Sequence, residues 1–148
     1  MEIGTDGIRR YIPCRNERNN PHVHWGNILR LSSLGGLDSE NQSFLWKVLH
    51  DILPTQERLH RIHICSVPSP LCALCTECVS DSLSHALLSC SQNAEVSDWL
   101  LSCLRVYCPA LTPEQAVLLD FGCLNTNTEL PIVWLVAETF RIIWRYRL

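Results

Sequence analysis

Several features typical of membrane proteins and enzymes are missing from this sequence. The longest late apolar run, residues 132–137, is far shorter than the ~18 residues that a membrane-spanning helix needs. Charged residues recur throughout the first eighteen positions, which is unlike a secretory signal. No glycine-rich phosphate loop is present, and no Ser–His–acid or Cys–His spacing suggests a catalytic site. We therefore expect an intracellular, non-catalytic protein without a membrane partner or a small-molecule substrate, with nuclear or cytoplasmic location left open.

Charged residues are few and unevenly distributed. They make up 18% of the chain, below the usual quarter, and the net charge is -3. Between residues 76 and 131, seven acidic residues are accompanied by a single basic residue, Arg105. Such a balance creates no general attraction for nucleic acid, so any contact with RNA or DNA has to come from a local group of basic residues.

One short stretch supplies such a group. We call it the basic segment, and it consists of Lys47, Arg58, His60, Arg61 and His63. Cationic side chains of this kind contact phosphate groups, so the sequence predicts RNA or DNA as the partner of this segment. An ordinary solvated helix face accounts equally well for the same residues. In that case the low charged fraction and the acidic middle of the chain favour a protein partner instead.

The cysteines carry the clearest chemical signal. The chain has nine of them, and an odd number in an intracellular protein favours metal ligands or buried thiols over disulfides. Cys72 and Cys75 form a Cys-x2-Cys pair, which is followed by His85 and then Cys90. Zinc binds four nitrogen or sulfur ligands in a tetrahedron, and four protein ligands leave no open position. The sequence therefore predicts one structural Zn²⁺ held by these four residues.

The spacing of the second ligand pair restricts its geometry. His85 and Cys90 are five residues apart, which is about 140° around a regular helix, so both cannot face one ion from a helix interior. We therefore expect His85 on a short helix and Cys90 at the end where that helix unwinds. Either Asp81 or Ser82 is expected to cap the start of this helix.

Other interpretations of the cysteines remain open. The four predicted ligands are also compatible with buried thiols and a core histidine, because free cysteine behaves as a small apolar residue. Cys78 also forms a Cys-x2-Cys pair with Cys75 and could replace Cys72, and Cys65 is a weaker substitute. The remaining cysteines are expected to be core or incidental residues: Cys14, Cys103, Cys108 and Cys123.

The rest of the sequence predicts an all-α fold, a small helical domain with a Cys-Cys-His-Cys zinc knuckle. Apolar residues recur at helical spacing from residue 41 onward, and no stretch alternates like a strand. Thr55 and Thr112 each precede a helix start. Residues 1–40 are expected to be a weakly structured arm with one short helix, and residues 41–148 the zinc-binding domain, with its knuckle at 70–91.

The tryptophans fall on the predicted helices. Their helical spacing is more typical of a core than of a platform on which bases stack. The five residues are Trp25, Trp46, Trp99, Trp134 and Trp144.

Several motifs, taken in order, resemble the zinc-binding domain of reverse transcriptases from non-LTR (LINE-type) retrotransposons. The motifs are Phe44-Leu45-Trp46-Lys47-Val48-Leu49-His50, Leu53-Pro54-Thr55, Pro70-Leu71-Cys72-Ala73-Leu74-Cys75 and Ser84-His85-Ala86-Leu87-Leu88-Ser89-Cys90. The chain departs from the family pattern at three non-ligand positions, where Ala73 replaces proline, Thr76 replaces glycine and Ser84 replaces an acid. The resemblance implies a domain that follows the polymerase and helps to hold template RNA or target DNA.

The resemblance also limits the function. Nothing in the chain resembles the paired catalytic aspartates of the polymerase, so we expect no polymerase activity. Two alternatives stay open: a zinc-stapled protein-interaction domain, and a decayed retroelement fragment with no selected function. The chain ends inside a predicted helix, which suits a truncated reading frame.

Overall fold

Helices account for most of this computed structural model, which describes residues 2–3, 9–10, 25–122, 124 and 126–147. Two short strands, β1 (Glu2–Ile3) and β2 (Arg9–Arg10), pair antiparallel. The α-helices are α1 (Trp25–Ser32), α2 (Ser39–Leu49), α3 (Gln56–Arg61), α4 (Ala94–Arg105), α5 (Pro113–Val117) and α6 (Thr126–Arg147). A π turn covers His85–Ser89 and a 3-10 turn covers Ser91–Asn93. The predicted all-α class is confirmed.

Side-chain caps explain where several helices begin. Asp38 accepts a hydrogen bond from the backbone N–H of Asn41 at the start of α2 (2.7 Å). Thr55 accepts one from Arg58 at the start of α3 (3.2 Å), as the sequence predicted. Thr112 opens α5 with a full capping box, in which the Gln115 side chain also bonds the Thr112 backbone. Each cap satisfies N–H groups that the first turn of a helix leaves free.

The long helix α6 organises the core. It packs against α1, α2, α4 and the π turn. Its buried face has helical spacing and consists of Val133, Val136, Ala137, Phe140 and Ile143. These side chains join one main hydrophobic cluster that also includes leucines of α2, α4 and the segment 83–88. Within the described residues, no helix combines the length and the apolarity that crossing a membrane requires.

Helix α1 belongs to this core although its residues lie in the predicted arm. Trp25, Ile28 and Leu31 are buried in the main cluster at a spacing of three residues. The guanidinium of Arg30 also donates two hydrogen bonds to the Glu129 carboxylate on α6 (2.9 and 2.6 Å). The structure therefore places residues 25–40 with the helical domain, while residues 11–24 of the predicted arm lie outside the described residues.

Most tryptophans do not lie where the sequence suggested. Trp25 is buried and Trp144 is partly buried, but Trp46, Trp99 and Trp134 each expose about half of their surface. The core assignment is therefore wrong for these three. Each helix turns only one face to the core, and Trp99 is rotated about 100° from the fully buried Leu100 beside it.

Helix α3 contributes no side chain to the core. It has no buried residue, and Ile62, directly after it, is about half exposed. Helix α3 therefore lies on the surface.

Candidate metal centre

The first two predicted ligands lie in a small hairpin. The backbone N–H of Cys72 donates to the Val79 carbonyl (2.9 Å), and that of Asp81 donates to the Pro70 carbonyl (2.9 Å). These bonds close the loop that contains Cys75. The hairpin therefore holds Cys72 on its paired strand and turns Cys75 back toward the same point.

The second pair lies on the π turn. Ser82 caps this segment, because its hydroxyl accepts from the His85 N–H (3.2 Å). The N–H of Cys90 donates to the His85 carbonyl five residues earlier (2.8 Å), and Cys90 then leaves the helix with extended backbone angles. A π turn is wider than an α turn, so residues five apart return to one side. The expectation of His85 on the helix and Cys90 at its end is confirmed.

Together the four side chains form one compact group. The Cys72 and Cys90 sulfurs are 4.0 Å apart, and the Cys75 sulfur is 3.5 Å from Nε2 of His85. All four ligand atoms lie within 4.8 Å of one another. Tetrahedral zinc with ordinary bond lengths separates two sulfurs by ~3.8 Å, and a sulfur from a nitrogen by ~3.6 Å. The donor set and its spacing therefore fit one zinc ion.

The surroundings of the cysteines favour binding of a cation. Burial alone would raise the pKa of the Cys72 thiol, but hydrogen bonds from the Leu74 and Cys75 backbone, with His85 and Cys75 side chains, lower it to about 7. Burial and the charges of Cys72 and Cys75 raise the pKa of Cys90, against an opposing Gln92 backbone hydrogen bond. Neighbouring thiolates oppose one another's ionisation, and a bound cation removes this opposition.

The group is closed to solvent. Cys90 is fully buried and the other three residues expose less than a tenth of their surface. Four protein ligands in a buried tetrahedron are typical of structural zinc sites, whereas catalytic zinc keeps a position for water or substrate.

The alternative cysteines lie outside the group. Cys78 and Cys65 are exposed, and the Cys78 sulfur is near the Thr76 carbonyl (3.9 Å). Cys103 is half-buried. Cys108 is disulfide-bonded, so the expectation of thiols and metal ligands without disulfides is wrong for that residue. Two further cysteines with predicted structural roles, Cys14 and Cys123, lie outside the described residues.

The basic segment is placed on two helices. Lys47 is exposed in the last turn of α2. Arg58, His60 and Arg61 lie in the last turn of α3, and His63 follows on an exposed turn. Cations at this end of a helix are favoured by its dipole.

These side chains are not all free. Arg61 donates to Asp51 in the turn after α2 (3.0 Å), and Nδ1 of His60 lies 3.4 Å from the Val67 carbonyl. The segment is therefore a partly paired surface, of which Lys47 and His63 are exposed members.

Two residues near the metal group were missed or misplaced from the sequence. Asp81 does not cap the following helix, because its carboxylate accepts from the Gln56 N–H (2.9 Å) and from Arg147 (2.6 Å). Arg147 is the last residue of α6 and is 66 positions away from Asp81. No local spacing in the sequence could have indicated this pair. Whether a charged residue is buried depends on the folded structure and not on its sequence neighbours.

Comparison with known proteins identifies a family. A family model described as zinc-binding in reverse transcriptase matches residues 17–96, which is more than half of the chain. The matched part contains the whole metal group and the basic segment. No curated protein and no solved structure matches the chain.

Proposed function

Because the chain belongs to the family of zinc-binding domains found in reverse transcriptases, we propose that it is a non-catalytic, zinc-stabilised helical module that binds RNA or DNA. One structural zinc ion is held by Cys72, Cys75, His85 and Cys90. The basic segment and the adjacent exposed face of α2 form the binding surface.

The observation that carries the proposal is the position of Trp46. It exposes 54% of its surface, and its ring lies 4.4 Å from the ring of His50, tilted by 33°. Its sequence neighbour Lys47 is exposed as well. Proteins that bind single strands combine cationic side chains along the backbone with exposed aromatic rings on which bases stack.

The test is binding of the zinc-loaded chain to a fluorescent single-stranded RNA and to the matching DNA, followed by anisotropy at several salt concentrations. We expect Trp46→Ala to weaken binding by ~1–3 kcal/mol, the usual contribution of one stacked base. We expect Lys47→Ala to weaken binding and to reduce the salt slope by about one, because one phosphate contact is lost.

Trp99→Ala is the matched control. Trp99 exposes 53% of its surface but lies on α4, within the acidic part of the chain. The Trp99→Ala variant should bind RNA and DNA as the unmodified chain does. Equal losses for both tryptophan variants, or no binding at low salt, would refute the proposed surface.

A second candidate function is a zinc-stapled protein-interaction domain. A groove of about 380 Å³ between the knuckle, α4 and α6 favours it, because exposed apolar side chains line the groove, among them Leu74, Val96, Ile142 and Tyr146. Absence of nucleic-acid binding at low salt would make this the better candidate, since phosphate contacts are strongest there.

A further inference from the structure

The end of helix α6 reaches the metal group through Arg147. Its side chain is only 10% exposed, and Nη2 donates to the Asp81 carboxylate, which is 2% exposed (2.6 Å). Asp81 closes the knuckle hairpin through its backbone, and its other carboxylate oxygen accepts from Gln56 at the start of α3. The guanidinium is therefore fixed in place by a buried partner that belongs to the knuckle.

The second amino group of the guanidinium, Nη1, takes no part in the ion pair with Asp81. Nη1 of Arg147 is buried and has no hydrogen-bond acceptor among the described residues. A buried N–H donor without a partner costs free energy, so such a group usually faces an anion or a water molecule. The guanidinium also lies close to the sulfur of Cys72.

A zinc ion bound by these four ligands forms an anionic complex. Zinc ligands bind as thiolates and neutral imidazole, so three cysteines and one histidine leave a single net negative charge on the complex. That charge would be buried, since Cys90 is fully buried, and Asp81 is a second buried anion of the knuckle. Buried charges of one sign require a cation nearby. Arg147 is a largely buried cation that pairs with Asp81 and lies close to Cys72.

We propose that Arg147 is a positioning residue of the zinc centre. Its guanidinium, held by Asp81, balances the charge of the zinc-bound thiolates and makes retention of the metal depend on docking of the end of α6. Arg147 lies far beyond the part of the chain that matches the family. The inference rests on the ligand set proposed above.

The test compares Arg147→Met with Arg145→Met. Arg145 lies on the same last turn but is exposed, so its substitution removes one charge without touching the knuckle. Zinc affinity of the full chain is measured by competition with a chromophoric chelator, under conditions where circular dichroism shows the helices intact. We expect Arg147→Met to bind zinc about 10–100-fold more weakly, as is usual for groups that support metal ligands, and Arg145→Met to be unchanged.

A double variant separates charge from simple helix docking. Asn in place of Asp81 keeps an acceptor oxygen for Gln56 but removes the second anion. If charge balance is the role of Arg147, Arg147→Met combined with Asp81→Asn recovers part of the lost affinity. If Arg147 only docks the helix, the double variant binds no better than the single one, and the proposal is overturned.

A kinetic measurement distinguishes a local effect on the zinc centre from misfolding of the variant. Arg147→Lys keeps the positive charge, so zinc release during alkylation with N-ethylmaleimide should be slower than in Arg147→Met. Equal zinc affinity and equal release rates in Arg147→Met and Arg145→Met would overturn the proposal. Zinc binding that survives Cys90→Ser would instead refute the ligand set.

Discussion

Loss of the proposed ligand Cys90 should unfold more than the knuckle. The segment that carries His85 and Cys90 also places Leu83, Leu87 and Leu88 in the main hydrophobic cluster. These leucines expose 7%, 0% and 4% of their surface, so each contributes ~1.5–3 kcal/mol of burial. Their combined contribution is about 5–9 kcal/mol.

A loss of this size is comparable with the whole stability of a small domain, about 5–15 kcal/mol. We therefore expect Cys90→Ser, or treatment with a chelator, to remove the cooperative unfolding transition rather than to loosen one loop. The measurement is urea unfolding of the zinc-loaded chain, followed by tryptophan fluorescence and near-ultraviolet circular dichroism.

The matched control for this measurement is Cys78→Ser. Cys78 is exposed in the same hairpin and lies outside the ligand group, so its variant should keep the zinc and the urea midpoint. If Cys90→Ser unfolds with the same midpoint and the same cooperativity as Cys78→Ser, the coupling between the metal centre and the core is refuted.

Three further substitutions test the packing. Ile28→Ala should cost ~2–5 kcal/mol in urea unfolding, because Ile28 is fully buried on α1; no change would mean that α1 is not part of the folded unit. Asn41→Ala should cost ~1–3 kcal/mol, since Asn41 is buried and donates to Glu138 on α6; a value near zero in thermal unfolding would contradict that role. Thr112→Ala should cost ~1 kcal/mol through loss of its cap, measured by calorimetry, and an unchanged melting temperature would argue against it.

Local chemistry made part of this structure predictable. The all-α class follows from helical spacing, and Thr55 and Thr112 were identified as helix starts because caps depend on neighbouring residues only. The unwinding of the chain at Cys90 was predictable from the angle between residues five apart. Each of these features is determined within a few positions of sequence.

Features that depend on distant residues were not predictable in the same way. Trp46 and Trp99 have helical spacing, but which face a helix buries is decided by its neighbours in space, and both are exposed. The pairing of Asp81 with Arg147 joins two positions that no local pattern relates. Helix α1 was assigned to the arm because Gly, Asn and Ser surround it, whereas its burial depends on contact with α6.

The π turn has a consequence for how the sequence can vary in length. His85 and Cys90 face the metal from one side of the segment, while Leu87 and Leu88 face the core from the other. Insertion or deletion of one residue between His85 and Cys90 rotates the later residues of the segment by about 100°. Such a change either separates the two ligands or turns the leucines out of the core. This stretch can therefore tolerate replaced residues but not a changed number of residues.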